Sequence, residues 1–295
     1  MPAPILPDTR ETIHRMTLGD MQLCTVVEGA IKRDAVKPPF MLDRSDAEIA
    51  AIAAAANLPA DRMEHIFVPA VVNTGKELVL FDVGFGAEGG AAMGAGRLVQ
   101  GLAALGYRPE DVDVVAFTHM HPDHIQGIGT AEAPTFPNAR YVMGRVEYDE
   151  WLSGDRIPEQ RKGNRDMFLS LIPPHKDRLE LVEDGASIVS GITAEAGFGH
   201  SLGHMMYRIE SQGKQILLWG DVTNHYVFSL RHPEAKVFFD DDPDTAVQTR
   251  KRVLAMVADD GLMVAGFHMP FPSVGHVERM GNSYTWVPAT YQLRV

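Results

Sequence analysis

The segment over residues 118–124, Thr-His-Met-His-Pro-Asp-His, constrains the fold more than any other part of the sequence. It continues from the apolar residues 113–118, which predict a short β-strand, so the polar side chains begin where that strand ends. Functional sites of α/β folds collect at the carboxyl ends of strands. An irregular loop there lets His119, His121, Asp123 and His124 converge, which a helix would not allow. The segment therefore predicts an α/β protein with a metal site at a sheet edge.

The types of ligand limit which metal such a site can hold. Imidazole and carboxylate groups suit Zn²⁺ and neighbouring divalent ions. Cys24 is the single cysteine of the chain, which excludes a disulfide framework and a thiolate cluster within one chain. Four ligands so close in sequence do not fit comfortably around one ion, so two adjacent ions are expected. Candidates for further ligands follow the later strands, and these are His200, His204, Asp221 and His268.

The order of these residues resembles the metallo-β-lactamase superfamily in its two-metal form. The pattern is His119-x-His121-x-Asp123-His124, then His200, Asp221 and His268. The resemblance runs from about residue 17 to the end of the chain and is strongest to the methyl parathion hydrolase and lactonase branch. Residues 106–110, 210–213, 271–276 and 286–288 support it. It implies an αββα sandwich, in which two mixed sheets are flanked by helices and the metals lie at one edge.

The resemblance also implies the ligand set and the residues behind it. One metal ion would be bound by His119, His121 and His200, the other by Asp123, His124 and His268, with Asp221 bridging both. The implied cofactors are two divalent ions per chain, zinc first and manganese, cobalt or iron as alternatives. Asp82 resembles the aspartate that orients a metal-bound histidine in the family, and His204 is expected behind the ligands.

Three functions follow as hypotheses. A hydroxide bridging two metals is a nucleophile at neutral pH, because a metal lowers the pKa of bound water to about 7, and Asp123 and Asp221 are the predicted catalytic carboxylates. The first hypothesis is hydrolysis of a lactone or aryl ester, and its alternative is phosphotriester hydrolysis of the methyl parathion hydrolase type. A non-hydrolytic metal or redox protein is the third. It is disfavoured because redox relatives tend to carry Glu where this chain has His121.

The predicted substrate pocket rests on five residues. The resemblance puts Trp151 and Phe168 among the pocket aromatics and Phe85 beside them, with core packing as the alternative. Acyl-homoserine-lactone hydrolases often carry Tyr three residues after the bridging Asp, where this chain has Asn224, followed by Tyr226. This departure argues against a quorum-signal substrate. The polar residues 153–177 predict a cap over the site.

Residues 1–16 predict an extended, Pro-rich N-terminal arm, and residues 17–295 a single hydrolase domain. The net charge of −12 disfavours nucleic acid and anionic membranes as partners and leaves a small-molecule substrate. No run reaches the roughly 18 apolar residues of a membrane span. The N-terminus lacks a signal-peptide pattern, so a cytoplasmic protein is expected unless a leader has been removed. The arm, the apolar residues 38–41 and the resemblance to a dimeric branch predict a homodimer.

Overall fold

The computed structural model describes residues 10–290 and 293–294. Within them the strands form two seven-stranded sheets and a separate two-stranded ladder. The first sheet consists of β1 (Ile13–Leu18), β2 (Met21–Val26), β5 (Ala70–Asn73), β6 (Leu78–Phe81), β7 (Val114–Ala116), β8 (Arg140–Gly144) and β9 (Leu179–Val182). The second consists of β10 (Ser187–Val189), β11 (Ile192–Ala196), β12 (Met205–Ser211), β13 (Lys214–Leu218), β14 (Met263–Ala265), β15 (Val274–Met280) and β16 (Ser283–Pro288). The ladder pairs β3 (Gly29–Arg33) with β4 (Met63–Phe67).

Helices connect the strands and cover the sheets. The α-helices of the described residues are α1 (Asp46–Ala55), α2 (Gly86–Gly90), α3 (Leu98–Leu105), α4 (Pro122–Ile125), α5 (Arg145–Ser153), α6 (Lys162–Leu171) and α7 (Pro243–Asp259). Short 3-10 helices lie at Ala91–Met93, Pro109–Asp111, Gln126–Ile128, Glu159–Arg161 and Pro173–Arg178. None of these helices is both long enough and apolar enough to cross a membrane.

Both sheets are mixed. In the first sheet β6, β7, β8 and β9 run parallel, whereas β1, β2, β5 and β6 pair antiparallel in that order. The second sheet is antiparallel except for the parallel pair of β13 and β14. The predicted αββα sandwich is thereby confirmed.

The core is layered because successive residues of a strand point to opposite faces of the sheet. Val114 and Ala116 of β7 lie in the cluster between the two sheets, whereas Val115 lies in the cluster under α3, α5 and α6. In the second sheet Leu218 faces the other sheet and Leu217 packs beneath α7. Burial on both faces explains why the central strands are apolar at every position rather than at alternate ones.

The N-terminal boundary differs from the prediction. Strand β1 begins at Ile13, so a boundary after residue 16 cuts through a paired strand. A turn at Gly19, with φ of +56°, separates β1 from β2. Residues 1–9 of the predicted arm lie outside the described residues, and the single-domain organisation of residues 17–295 stays a prediction.

A proline divides the polypeptide between β4 and β5. The sequence predicts one strand over residues 65–73, but Pro69 has no backbone N–H and interrupts it. Strand β5 continues into the first sheet, whereas β4 turns away and pairs with β3 alone. The ladder of β3 and β4 belongs to neither sheet and stands at the edge where β7 ends.

The irregular segment over residues 221–242 packs on α1 through a small core of its own. His225 organises this segment, because its Nδ1 accepts hydrogen bonds from the backbone N–H groups of Val227 (3.0 Å) and Phe228 (3.1 Å). Burial, and secondarily the charge of His268, lower the pKa of His225 to about 3. The imidazole therefore stays neutral in the folded protein at pH values where the unfolded chain is protonated.

We expect this histidine to make the fold acid-sensitive. Below about pH 6.5 the unfolded state binds a proton that the folded state does not take up until about pH 3. The free energy of unfolding therefore decreases as the pH is lowered from about 6.5 to about 3. The slope from one such group is about 1.4 kcal/mol per pH unit. His225→Asn keeps a local acceptor without the titration. Urea unfolding at several pH values should give the variant a shallower slope, and equal slopes would contradict this origin.

Candidate metal centre

The loop after β7 carries four of the predicted ligands. Backbone pairing of β7 with β6 and β8 fixes its start. His121 keeps an extended conformation (φ −73°, ψ 156°) as the residue before α4, and Pro122 opens that helix. The change from extended to helical backbone within a few residues turns His119 and His121 to one side and Asp123 and His124 to the other. The side chains therefore form two groups that could each bind a metal ion, and these are called donor groups below.

The first donor group consists of His119, His121 and His200, all buried. His121 Nδ1 lies 3.0 Å from His119 Nε2 and 3.0 Å from His200 Nε2. Three imidazole nitrogens therefore meet at one point, although they come from loops that are 79 residues apart in the sequence.

The opposite nitrogen of each ring is held by an oxygen. His121 Nε2 donates to Asp241 Oδ2 and His200 Nδ1 donates to Asp240 Oδ1, both over 3.0 Å. His119 Nδ1 donates over 3.0 Å to the hydroxyl of Thr118. These bonds leave lone pairs, rather than protons, on the three converging nitrogens. Lone pairs so close together repel each other unless a cation lies among them.

The protonation of this group favours a cation too. Burial lowers the pKa of His121 to about 4, even though Asp241 acts in the opposite direction. Burial and the neighbouring His124 likewise lower the pKa of His119 well below its ordinary value. Both rings are therefore neutral at neutral pH, and neutral imidazole is the form that binds metals.

The second donor group consists of Asp123, His124, Asp221 and His268. His268 Nε2 lies 2.9 Å from Asp221 Oδ2 and 3.5 Å from Asp123 Oδ2. His124 Nε2 lies 3.5 Å from Asp123 Oδ2 and 3.6 Å from Asp221 Oδ1. His124 Nδ1 donates to Asp82 Oδ2 over 2.8 Å, which makes Asp82 the orienting aspartate that the sequence predicts.

Asp221 lies between the two groups. Its Oδ2 is 3.3 Å from His200 Nε2 on one side and 2.9 Å from His268 Nε2 on the other. Among the described residues, Asp221 Oδ1 and His124 Nε2 are buried polar atoms without a hydrogen-bond partner. Buried polar atoms of this kind require a bound group that satisfies them. The histidine and carboxylate donors, the converging lone pairs and these orphan atoms all fit a pair of divalent cations.

His204 lies behind the two donor groups. It is fully buried, and its Nε2 accepts a hydrogen bond from the backbone N–H of Asp221 over 3.1 Å. The contact requires glycine at residue 220, because a Cβ on Gly220 would lie 2.6 Å from His204 Nε2. His204 therefore sets the position of the bridging aspartate and is absent from both donor groups.

Sequence reasoning missed the charged residues that support the donor groups. Asp241 also accepts from Arg161 Nε over 2.8 Å, and Asp240 from the buried Arg250 over 2.9 Å. Glu147 joins the two ligand loops, since its carboxylate accepts from Met120 N, Ser201 Oγ and Gly203 N at 2.6–2.8 Å. The acidic run over residues 240–242 is the one local feature that could have indicated these supporting residues, but such a run is equally typical of the start of a helix such as α7.

A cavity of about 220 Å³ opens above the donor groups. Aromatic, apolar and basic side chains line it together with the ligands, and they are Ile31, Arg33, His65, Phe67, Phe85, Pro122, Arg161, Asn164 and Phe239. Phe85 lies in the wall, as predicted. Arg161 and Asn164 come from the region predicted as a cap.

The other predicted pocket residues lie elsewhere. Trp151 and Phe168 are fully buried in the outer core, where the Trp151 Nε1 donates to Ser201 Oγ, so the prediction that they line the pocket is wrong. Asn224 is buried behind the ligands and donates from Nδ2 to Asp221 Oδ2 over 3.0 Å. Tyr226 stacks on His225 and lines a neighbouring depression instead. Local sequence does not distinguish an aromatic wall from an aromatic core.

Comparison with known families agrees with this geometry. A family model described as the metallo-beta-lactamase superfamily matches residues 69–268, more than half of the chain and all seven predicted ligands. The chain belongs to the metallo-beta-lactamase superfamily. The match begins at residue 69 and ends at His268, so β1, β2, both ladder strands and the last two strands of the second sheet lie outside it.

Individual relatives are more distant. The chain is similar to the N-acyl homoserine lactonase AttM of Rhizobium johnstonii, with 29% identity over 146 residues, which are 47% of this chain and 50% of that protein. The match thus spans about half the length of that curated relative. Among solved structures, AidC, a dizinc quorum-quenching lactonase, has 22% identity and a TM-score of 0.88 over 95% of this chain and 98% of its own. The hydrolase AbOPH of the beta lactamase superfamily has 27% identity and a TM-score of 0.85 over the same shares.

The hydrogen bond from His121 to Asp241 gives a test of the first donor group. Asp241→Asn should weaken metal binding by about 10–100-fold, because an amide orients the imidazole less firmly than a carboxylate. Metal content after dialysis against graded chelator measures this. Asp242→Asn is the matched control, since Asp242 caps α7 and Asn serves equally well as a cap. Equal metal retention in both variants would contradict the assignment.

Proposed function

We propose that the chain is a dinuclear, zinc-dependent hydrolase that opens a small lactone or cleaves an aryl ester. The observation that carries this proposal is the position of Asp221, whose carboxylate faces both donor groups at the floor of a cavity with aromatic walls. These residues would hold two divalent cations, which would supply Lewis acidity and lower the pKa of water to about 7, and so provide a nucleophile at neutral pH.

Asp123 is the residue of this chain best suited to move a proton. Its side chain is 18% exposed and lines the cavity, so it reaches both the ligands and a bound substrate. Burial opposes its charge, but His124 and His268 lower the pKa of Asp123 below its ordinary value, so the carboxylate is ionised at neutral pH. Its Oδ2 faces those two histidines, which leaves Oδ1 to take a proton and pass it to the leaving oxygen.

The cavity favours a compact substrate. Its volume of about 220 Å³ is below the roughly 300–1,000 Å³ of ordinary drug-sized pockets. Phe67, Phe85 and Phe239 give it flat apolar walls that suit an aromatic or short acyl group. A long acyl chain would extend outside these walls.

The relatives support hydrolysis rather than another chemistry. The similar proteins include N-acyl homoserine lactonases, a dizinc lactonase and a hydrolase. Phosphotriester hydrolysis stays an alternative prediction that no observation here favours specifically. A cytoplasmic location and a homodimer also stay proposals.

A panel of substrates tests the proposed reaction. Protein loaded with zinc should hydrolyse dihydrocoumarin, γ-butyrolactone or phenyl acetate faster than paraoxon and nitrocefin. Asp221→Asn should reduce this activity to background and release at least one metal ion, because it removes the carboxylate shared by both donor groups. Asp61→Asn, a change at a largely exposed side chain, should alter neither. Hydrolysis by metal-free protein at the full rate would refute the proposal.

The aromatic wall gives a separate prediction. Phe85→Ala should raise KM for aryl esters about tenfold and leave the metal content unchanged, because it removes apolar contact area and no ligand. Trp151→Ala should instead destabilise the fold by about 3–5 kcal/mol, as expected for a buried aromatic core residue. Steady-state kinetics and urea unfolding distinguish the two, and a KM effect of Trp151 without loss of stability would reverse the assignment.

A further inference from the structure

The β3–β4 ladder forms one wall of the cavity. In its register Ile31 pairs with His65 and Arg33 with Met63. Residues two apart in a strand share a face, and Ile31, Arg33, His65 and Phe67 all line the cavity. The ladder therefore brings one cationic and one imidazole side chain to the same wall, next to the second donor group.

Arg33 has no anionic partner within the part of the chain that the structure describes. Its guanidinium lies over the Phe239 ring, 5.5 Å from the centroid, and its Nε is buried without a hydrogen bond. Arg161, the other arginine of the cavity, is paired with Asp241 and so is neutralised. An arginine stays charged at neutral pH, so Arg33 carries a positive charge that no ion pair among the described residues neutralises, although the field of Asp123 reaches it.

His65 is equally without partners. Only 4% of it is exposed, and neither of its ring nitrogens has a hydrogen-bond partner among the described residues. Its ring stacks between Phe239 (5.8 Å) and His268 (4.1 Å), so aromatic contacts fix its plane while the nitrogens stay free. Leaving a buried polar group without a hydrogen bond destabilises the fold. A buried donor in a cavity wall is explained if a ligand satisfies it.

We propose that Arg33 and His65 form a carboxylate-binding subsite, and that the natural substrate is a lactone or ester that carries a second, negatively charged group. This inference rests on the proposed hydrolase function and specifies its substrate class. The guanidinium supplies two parallel N–H donors that match a carboxylate, and the neutral imidazole supplies one more. The aromatic rings that flank both groups exclude water, which strengthens these bonds.

The subsite also resolves a problem of charge. Asp123 and Asp221 line the same cavity, and the chain as a whole carries a net charge of −12. A free carboxylate entering this region needs a fixed cation away from the metal ligands. Arg33 provides it in the ladder wall, and because it belongs to neither donor group, a substrate held there by its carboxylate would keep its ester group free to reach the ligands.

Two esters that differ by one charge test the proposal. The probes are 4-acetoxybenzoate and its neutral methyl ester, and the measured quantity is the ratio of their kcat/KM values on zinc-loaded protein. The wild type should prefer the anion at least about tenfold, which is the effect of one charge-assisted hydrogen bond of about 1.5 kcal/mol or more. Arg33→Met should bring the ratio near one. Arg33→Lys should give an intermediate ratio, because lysine keeps the positive charge but lacks the two parallel N–H donors of the guanidinium.

His65→Phe should keep the stacking and lower the ratio by a smaller factor. Arg62→Met is the control, since Arg62 is an exposed arginine near the start of β4, and it should keep the wild-type ratio. Circular dichroism and metal content establish that each variant is folded and loaded. A wild-type ratio near one, or a ratio unchanged in Arg33→Met and Arg33→Lys, would overturn the subsite.

Binding of the products separates this inference from the hydrolase proposal. Calorimetry compares 4-hydroxybenzoate with methyl 4-hydroxybenzoate on the same loaded proteins. If neither these esters nor the lactones and ester of the substrate panel are hydrolysed, but the wild type binds the anion more tightly than Arg33→Met does, the hydrolase proposal fails and the subsite stands. If both esters are hydrolysed and neither the kinetic nor the binding ratio depends on Arg33, the subsite fails and the hydrolase proposal stands.

Discussion

The metal centre depends on the hydrogen bonds that fix which nitrogen of each histidine faces inward. Asp241, Asp240 and Asp82 accept from His121, His200 and His124, and a backbone carbonyl at residue 66 accepts from His268. Each acceptor belongs to a different segment of the chain from the imidazole that it holds. The donor groups therefore exist only when both sheets are assembled, and folding creates the site rather than merely surrounding it.

Burying so many carboxylates is costly, and the protein offsets the cost with specific partners. Arg250, fully buried, pairs with Asp240, and Arg161 pairs with Asp241. A buried ion pair is not strongly stabilising by itself, but removing one partner leaves the other unpaired at a large cost. These arginines therefore act on the imidazoles indirectly, by keeping the acceptor aspartates charged and in place.

The ligands could be predicted from the sequence because strand β7 and the residues after it are contiguous, and because each later ligand also follows a strand. Asp82 was predicted only through the family resemblance. Asp240 and Asp241 were not, since acidic residues before a helix have an ordinary role as caps, which the adjacent Asp242 fulfils. The aromatic wall was mispredicted at Trp151 because burial depends on which elements pack together. The ladder was missed because its separation from the sheets depends on a single proline between β4 and β5.

The separation of the ladder from both sheets has a consequence for how such a protein can change. The ligands follow strands of the two sheets, whereas the ladder wall comes from a pair of strands that belong to neither sheet. The ladder holds His268 through the backbone carbonyl of Ile66, so that hydrogen bond does not depend on which side chain stands at residue 66. Substitutions at alternate positions of that pair alter the shape and charge of the wall without touching the hydrogen bonds that hold the imidazoles. Reactivity and selectivity thus depend on separate parts of the chain. A directed-evolution library confined to residues 29–33 and 63–67 would vary the selectivity while conserving the metal ligands and their hydrogen bonds.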